Sequence, residues 1–387
     1  MPAKPFESDV FIDDAMRNTG LSDFGGDTFR GPLDVLCDSL NRDFNLNPVG
    51  ELTAHQQILE LLENRLRLTE DRRQNPGIAC VEIVRPLVIT GLPRSCTTIL
   101  HETIRRDPAN RVPLTWEARY PSPPPEAATY ETDPRIAATE EAYEALHTMV
   151  PELKAMVPMS GRSVIECSSF MAYEFACDLF DPTFDIPSYR DWLWEQDITE
   201  TYETYRKILQ HLSWRCARDR WVLKAPTHLR TLDALLAVFP DACIVQNHRD
   251  PLLSLASVIS LRLTMLKPTV AKLDVPRLAR WISQDNAEWL ERGLETRRRL
   301  NREDRFFDVY FNDFQSDPEG VVTRLYAHFD LPLGDVALSR IRKFLGDNPR
   351  GKHGVHSYRF EDYGLDRAEE RERYASYQEH FGIESEI

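Results

Sequence analysis

The segment Arg85-Pro-Leu-Val-Ile-Thr90 is short, apolar and β-branched, and it runs directly into Gly91-Leu-Pro-Arg-Ser-Cys-Thr-Thr98. The helical stretch ThrThrIleLeuHisGluThrIleArgArg follows at once. Such a strand, loop, helix unit cannot fold alone, because the strand has to pair with others to bury its faces. Strand signals return at Trp221 to Ala225, Ala242 to Asn247 and Arg305 to Phe311, with helical runs between them. Strands alternating with helices predict an α/β fold in three layers, a central parallel sheet flanked by helices. In such sheets ligands bind at the carboxyl ends of the strands, so the residues just after each strand are the ones to inspect.

Outside that frame the chain reads as helical. Residues 1 to about 80 form an expected N-terminal helical cap, since TAHQQILELLENRLRLTED, from Thr53, places apolar residues at helical spacing. Residues 81–387 are expected to form one elaborated α/β domain. It carries a helical insertion over about 120–215, which opens with the Pro-rich tract Tyr120 to Glu126. EEAYEALHTMV and ITETYETYRKILQHLSW have helical spacing within it, and the insertion is the natural place for a second substrate.

Acidic residues outnumber basic ones 62 to 47, a formal charge of −15, which opposes a broad electrostatic grip on nucleic acid. An anionic ligand therefore requires a local basic pocket. No apolar run approaches the length that spans a bilayer, which leaves only peripheral membrane contact open. The N-terminus MPAKPFESDVFIDDAM lacks a basic start followed by an apolar stretch, so a cytoplasmic location is expected. Cysteines 37, 80, 96, 167, 177, 216 and 243 include no CxxC pair and suggest neither a disulfide framework nor a zinc site. His353 and His356 are spaced like a metal pair but lack further ligands, and no metal is expected.

In Gly91 to Thr98, backbone N–H groups at a helix start can take phosphate oxygens. The hydroxyls of Ser95, Thr97 and Thr98 and the forked cation of Arg94 add donors. The loop alone argues for anion binding, with an ordinary capped turn as the bland alternative. Asn247-His248-Arg249-Asp250-Pro251 also follows a strand, with Ser254 and Ser257 on the next helix. At 3.6 residues per turn Ser257 lies about two turns beyond Arg249, so one anion can touch this set.

GLPRSCTT, LKAPTHL at Leu223 to Leu229 and FPDACIVQNHRDP at Phe239 to Pro251 together resemble the PAPS-dependent sulfotransferase family, its actinobacterial branch most closely. The resemblance extends through VYFNDFQSDPEGVV and HSYRFEDYGL, covering roughly residues 85 to 385. It implies a P-loop-like fold and the donor 3′-phosphoadenosine 5′-phosphosulfate (PAPS), used without a metal. Family members hold the 5′-phosphosulfate with the first loop, which points to Gly91, Pro93, Arg94, Ser95, Cys96, Thr97 and Thr98. They hold the 3′-phosphate with an arginine after the later strand and a serine eight residues on, here Arg249 and Ser257. A basic, glycine-containing segment completes that site, for which Arg350, Gly351 and Lys352 are the candidates.

One residue departs from the family pattern: Cys96 stands where glycine is usual. If position 96 is already helical the change is harmless, and because it opens the helix that is the expectation. A thiol beside bound anions and a helix N-terminus is further expected to have a lowered pKa, with redox regulation as a hypothesis.

Sulfuryl transfer is an in-line displacement in which the protein positions reactants and neutralises charge on the leaving oxygen. Arg94 and Lys224 are the candidate cations. His228, four residues after Lys224, is the candidate base, and Glu117, after the donor-loop helix, is its rival. Glu166-Cys167-Ser168-Ser169 either lines the acceptor site or anchors a helix. Phe170, Met171, Tyr173, Phe175, Trp192 and Trp194 either line an apolar acceptor pocket or form core. A lipid, polyketide, isoprenoid or quinone hydroxyl is the expected acceptor. Two alternatives remain at this level. A P-loop kinase is opposed by Cys96 and Thr97 standing where GxxxxGK[ST] requires Gly and Lys. A non-catalytic nucleotide- or lipid-binding descendant is opposed by the joint presence of Arg94, Lys224, His228, Arg249 and Ser257.

Overall fold

A computed structural model describes residues 6–151, 159–348 and 360–386. Helix α1 (Ser8–Thr19) is followed by α2 (Arg30–Asp43) and α3 (Pro48–Gln74). Asn47 starts α3: its side-chain oxygen accepts the N–H groups of Val49 and Gly50, and Pro48 supplies a preset φ where no helical hydrogen bond is lost. The stretch expected to be helical from Thr53 lies inside α3. These helices belong to a unit drawn from Met1–Ile83, Pro113–Ala217 and Thr264–Leu273. Its interior is aromatic: Phe29, Phe170, Tyr173, Phe175, Phe180, Tyr189 and Tyr205 are all buried. Arg65 crosses this core because its guanidinium N–H groups are partnered, by Glu174 at 2.8 Å and by the carbonyls of Phe24 and Tyr173 at 2.9 Å.

The second unit, Val84–Val112, Arg218–Leu263 and Asp274–Ile387, holds the sheet. Strands β1 (Leu87–Gly91), β2 (Asn110–Arg111), β3 (Arg220–Lys224), β4 (Cys243–His248) and β5 (Phe306–Tyr310) pair in the order β2-β3-β1-β4-β5, every pair parallel. Strands β1, β3 and β4 are buried along their whole length, as apolar runs covered on both faces must be. Helix α4 (Thr97–Ile104) leaves β1 and packs against β1 and β3.

The strand order decides where a ligand binds. From β1 the chain moves toward β2, whereas from β4 it moves the other way toward β5. Right-handed crossovers therefore send the two connections to opposite faces. The carboxyl ends of β1 and β4 flank the point of reversal, where open α/β sheets bind ligands. The register pairs Gly91 with Asn247 there, which sets Gly91 to Thr98 beside His248 to Asp250. Strands β1, β3, β4 and β5 lie within two residues of the expected ones at each end. Strand β2, only two residues long, carries no signal of its own.

Candidate active site

The loop after β1 is bent by its backbone. Gly91 has φ 133°, and a Cβ there would overlap the Asn247 carbonyl oxygen, so only glycine lets β1 and β4 approach this closely. Arg94 and Cys96 are also left-handed, at φ 69° and 67°. This corrects the expectation for Cys96, which is not yet helical but caps α4 from the left-handed region that favours glycine. The bend is held by three contacts. Ser95 Oγ donates to the Leu92 carbonyl at 2.7 Å, Asn247 Nδ2 donates to the Ser95 carbonyl at 3.1 Å, and the Ser254 hydroxyl donates to the Pro93 carbonyl. The hydroxyls of Ser95 and Ser254 are thus spent on the loop. Thr98 remains exposed, and Thr97 is buried.

The thiol expectation is overturned as well. Burial pushes Cys96 up to about 12, and the Asn247 hydrogen bond at 3.4 Å and the Arg249 charge offset this only in part. The desolvation that raises the thiol outweighs the positive field that would lower it.

Two clusters flank the loop. In the first, Arg94 Nε donates to Ser257 Oγ at 3.1 Å, and Arg249 Nη1 donates to the Arg94 carbonyl at 2.9 Å. The Arg249 guanidinium lies 4.0 Å over the Phe311 ring, and its buried Nε has no hydrogen-bond partner among the described residues. An acceptor such as a phosphate oxygen would satisfy that donor. In the second, Lys224 at the end of β3 reaches Thr98 Oγ1 with its Nζ at 3.4 Å while the residue is only 3% exposed.

His228 sits in the turn Pro226–Leu229 that leaves β3, and it is fully buried. Burial, and then the Lys224 charge, lowers it from 6.5 to about 3, so it is neutral at physiological pH. The turn rests on the long helix Val275–Leu300, where Gly293 admits Leu229 and where Asp285 and Glu288 pair with Arg230 at 3.2 and 3.0 Å.

Glu117 lies in the other unit, in the helix Thr115–Arg119, buried beside Trp116. One carboxylate oxygen accepts the Leu114 N–H at 3.2 Å, a helix-capping contact. Phe170, Met171, Tyr173 and Phe175 are core, Trp192 and Trp194 are half-buried, and Ser168 donates to Asp178 at 2.7 Å. Arg350, Gly351, Lys352, His353 and His356 lie outside the described residues. Sequence reading missed Asn247 as a loop fastener and Phe311 as the platform for Arg249. The first was discoverable, because Asn247 closes the expected strand Ala242 to Asn247 and stands at the level of Gly91.

Residues 86–335 match the pattern of the sulfotransferase family. The omega-hydroxy-beta-dihydromenaquinone-9 sulfotransferase Stf3 of Mycobacterium bovis is 27% identical over 274 residues, 68% of this chain and 67% of that protein. The protein of the same name from Mycobacterium tuberculosis matches equally. The crystal structure of sulfotransferase STF9 from Mycobacterium avium superposes with TM-score 0.91 at 28% identity, covering 98% of both chains. That of STF1 from Mycobacterium tuberculosis H37Rv does so with TM-score 0.86 at 31% identity, covering 97% of this chain and 100% of that one. The chain belongs to the sulfotransferase family, a class of group-transfer enzymes.

Proposed function

We propose that this protein transfers the sulfuryl group of PAPS to the hydroxyl of a hydrophobic small molecule or lipid. The observation that carries the reading is the pair of cationic clusters on one loop: Arg94 with Arg249 and Ser257 to one side, Lys224 with Thr98 to the other. A donor with phosphate at both ends of its ribose matches two separated cationic sites. A nucleoside triphosphate would call for the Walker Gly and Lys that Cys96 and Thr97 replace. PAPS supplies the sulfuryl group. Arg249 and Ser257 hold the 3′-phosphate, together with Arg350, Gly351 and Lys352. Arg94 touches the first cluster through Ser257 but stands on the loop after β1, and with the rest of that loop from Gly91 to Thr98 it holds the 5′ end.

Lys224 neutralises charge on the leaving oxygen, and its burial makes that charge count for more than it would in water. His228 takes the acceptor proton. It is already in the neutral form a base needs, and although burial is the larger cause of its depressed pKa, an anionic donor paired with Lys224 offsets the second cause, the Lys224 charge. Glu117 is the rival base, supported by its burial beside Trp116. Turnover of His228→Gln and Glu117→Gln separates them, because the variant that keeps kcat has not lost the base.

For the acceptor, the quinone-derived substrate in the name of the Stf3 relatives favours a hydroxylated isoprenoid or quinone. The charge of −15 disfavours polyanionic chains. We place the enzyme in the cytoplasm of an actinobacterium, with peripheral access to membrane lipid. Among the described residues no helix is long and apolar enough to cross a membrane. Incubating the protein with sulfur-labelled PAPS and a lipid extract, then identifying the labelled product by mass spectrometry, tests the reading. Label on a hydroxylated apolar molecule supports it, and label confined to polysaccharide contradicts the acceptor class.

A further inference from the structure

Arg249 stands between two residues that the end of the chain holds in place. His248 is 1% exposed and Asp250 is fully buried. The Tyr377 hydroxyl is 2.6 Å from His248 Nδ1, and His248 Nε2 is 2.9 Å from Asp308 Oδ1. Asp308 is held well below the usual carboxylate range by His248 and Arg297, so it can only accept. Nε2 therefore carries the hydrogen, and Nδ1 accepts from Tyr377. Rings of Tyr310 and Phe381 lie against His248, with centroids 5.2 and 4.3 Å away, and leave the imidazole no route to water.

On the other side Asp250 receives two N–H groups of Arg371 at 2.7 and 3.1 Å and the Glu386 backbone N–H at 2.7 Å. Tyr377, Arg371 and Glu386 lie 129, 121 and 136 positions from their partners. The C-terminal segment thus clasps both neighbours of an arginine whose guanidinium is fixed by Phe311 and by the Arg94 carbonyl.

We propose that Tyr377 and Arg371 are positioning residues for the donor's 3′-phosphate, acting through His248 and Asp250 to hold Arg249 against the loop after β1. The inference rests on the reading of Arg249 as a phosphate ligand. Loss of the Tyr377 hydroxyl strands a buried acceptor, and loss of Arg371 removes the counter-charge of a buried carboxylate, leaving it only the backbone N–H groups of Glu386 and Leu252. In each case the strand end that carries Arg249 shifts to recover a partner.

The test compares Tyr377→Phe and Arg371→Met with Tyr374→Phe. Tyr374 anchors the same segment by donating to the Ser283 carbonyl at 2.8 Å. Each protein is titrated calorimetrically with 3′-phosphoadenosine 5′-phosphate and with adenosine 5′-phosphate, which lacks the 3′-phosphate. Tyr377→Phe and Arg371→Met are expected to weaken the bisphosphate about fivefold to tenfold, the worth of one hydrogen bond, and to leave the monophosphate unchanged. Tyr374→Phe is expected to change neither. Unchanged bisphosphate affinity in Tyr377→Phe and Arg371→Met overturns the proposal, and so does equal weakening of both nucleotides in all three variants. Arg249→Met separates the two levels. If it binds the bisphosphate like the unaltered protein, the ligand reading itself fails. If only Arg249→Met loses affinity, the clasp alone is wrong.

Discussion

The side-chain nitrogen of Asn247 lies 3.1 Å from the Ser95 carbonyl oxygen and 3.4 Å from the Cys96 sulfur, so a single amide at the end of β4 fastens the loop that leaves β1. The fastening matters because that loop stores two left-handed residues, Arg94 and Cys96. Each costs on the order of 1 kcal/mol and persists only while its surroundings over-determine it. Asn247→Ala is therefore expected to lower affinity for 3′-phosphoadenosine 5′-phosphate about tenfold, roughly 1.4 kcal/mol, with the sheet intact by circular dichroism. Affinity equal to that of the unaltered protein would show that the loop holds its shape without the amide.

Cys96→Gly should stabilise the protein. Glycine enters the left-handed region at no steric cost, so a gain of about 1 kcal/mol is expected in denaturant unfolding, with the midpoint raised and the slope unchanged. The same residue should resist alkylation near neutral pH, since its thiol is pushed up to about 12. Rapid loss of activity with iodoacetamide, prevented in Cys96→Gly, would contradict that environment.

Lys224→Met removes a buried cation 3.4 Å from Thr98. Its effect belongs in turnover more than in donor affinity, with kcat lowered on the order of 10²- to 10³-fold. A variant whose whole loss lies in donor Kd, with kcat preserved, would reassign Lys224 to ground-state binding.

Acid should destabilise the fold through His228 in a defined window. Its folded pKa is about 3 against an ordinary 6.5, so between these values the unfolded chain binds a proton that the native chain does not. Stability is then full above pH 6.5 and is lost as pH falls toward 3, and His101 acts in the same direction. His228→Gln should flatten the dependence of unfolding free energy on pH by about 1.4 kcal/mol per unit there. An unchanged slope would mean that His228 is charged or exposed in the native state.

Four of the five strands and the loop after β1 were legible because β-branched apolar runs and glycine-bearing turns encode local conformation directly. Strand β2 was not, because two residues paired by β3 carry no periodicity. The error at Cys96 has a similar origin: its φ is imposed by Asn247 and by the packing of β1 on β4, which sequence spacing does not report. The buried, neutral state of His228 depends on the long helix that packs on its turn through Gly293, more than sixty positions away. Arg249 was legible from its place after a strand, but Phe311, Tyr377 and Arg371, which fix it directly or through its neighbours, come from elements far along the chain.

Whether the loop after β1 holds PAPS is decided by a paired titration. Calorimetry with 3′-phosphoadenosine 5′-phosphate and with ATP, each with and without magnesium, is predicted to show tight, magnesium-independent binding of the bisphosphate. That binding should be weakened in Arg94→Met and in Arg249→Met. Preferential, magnesium-dependent binding of ATP would contradict the account.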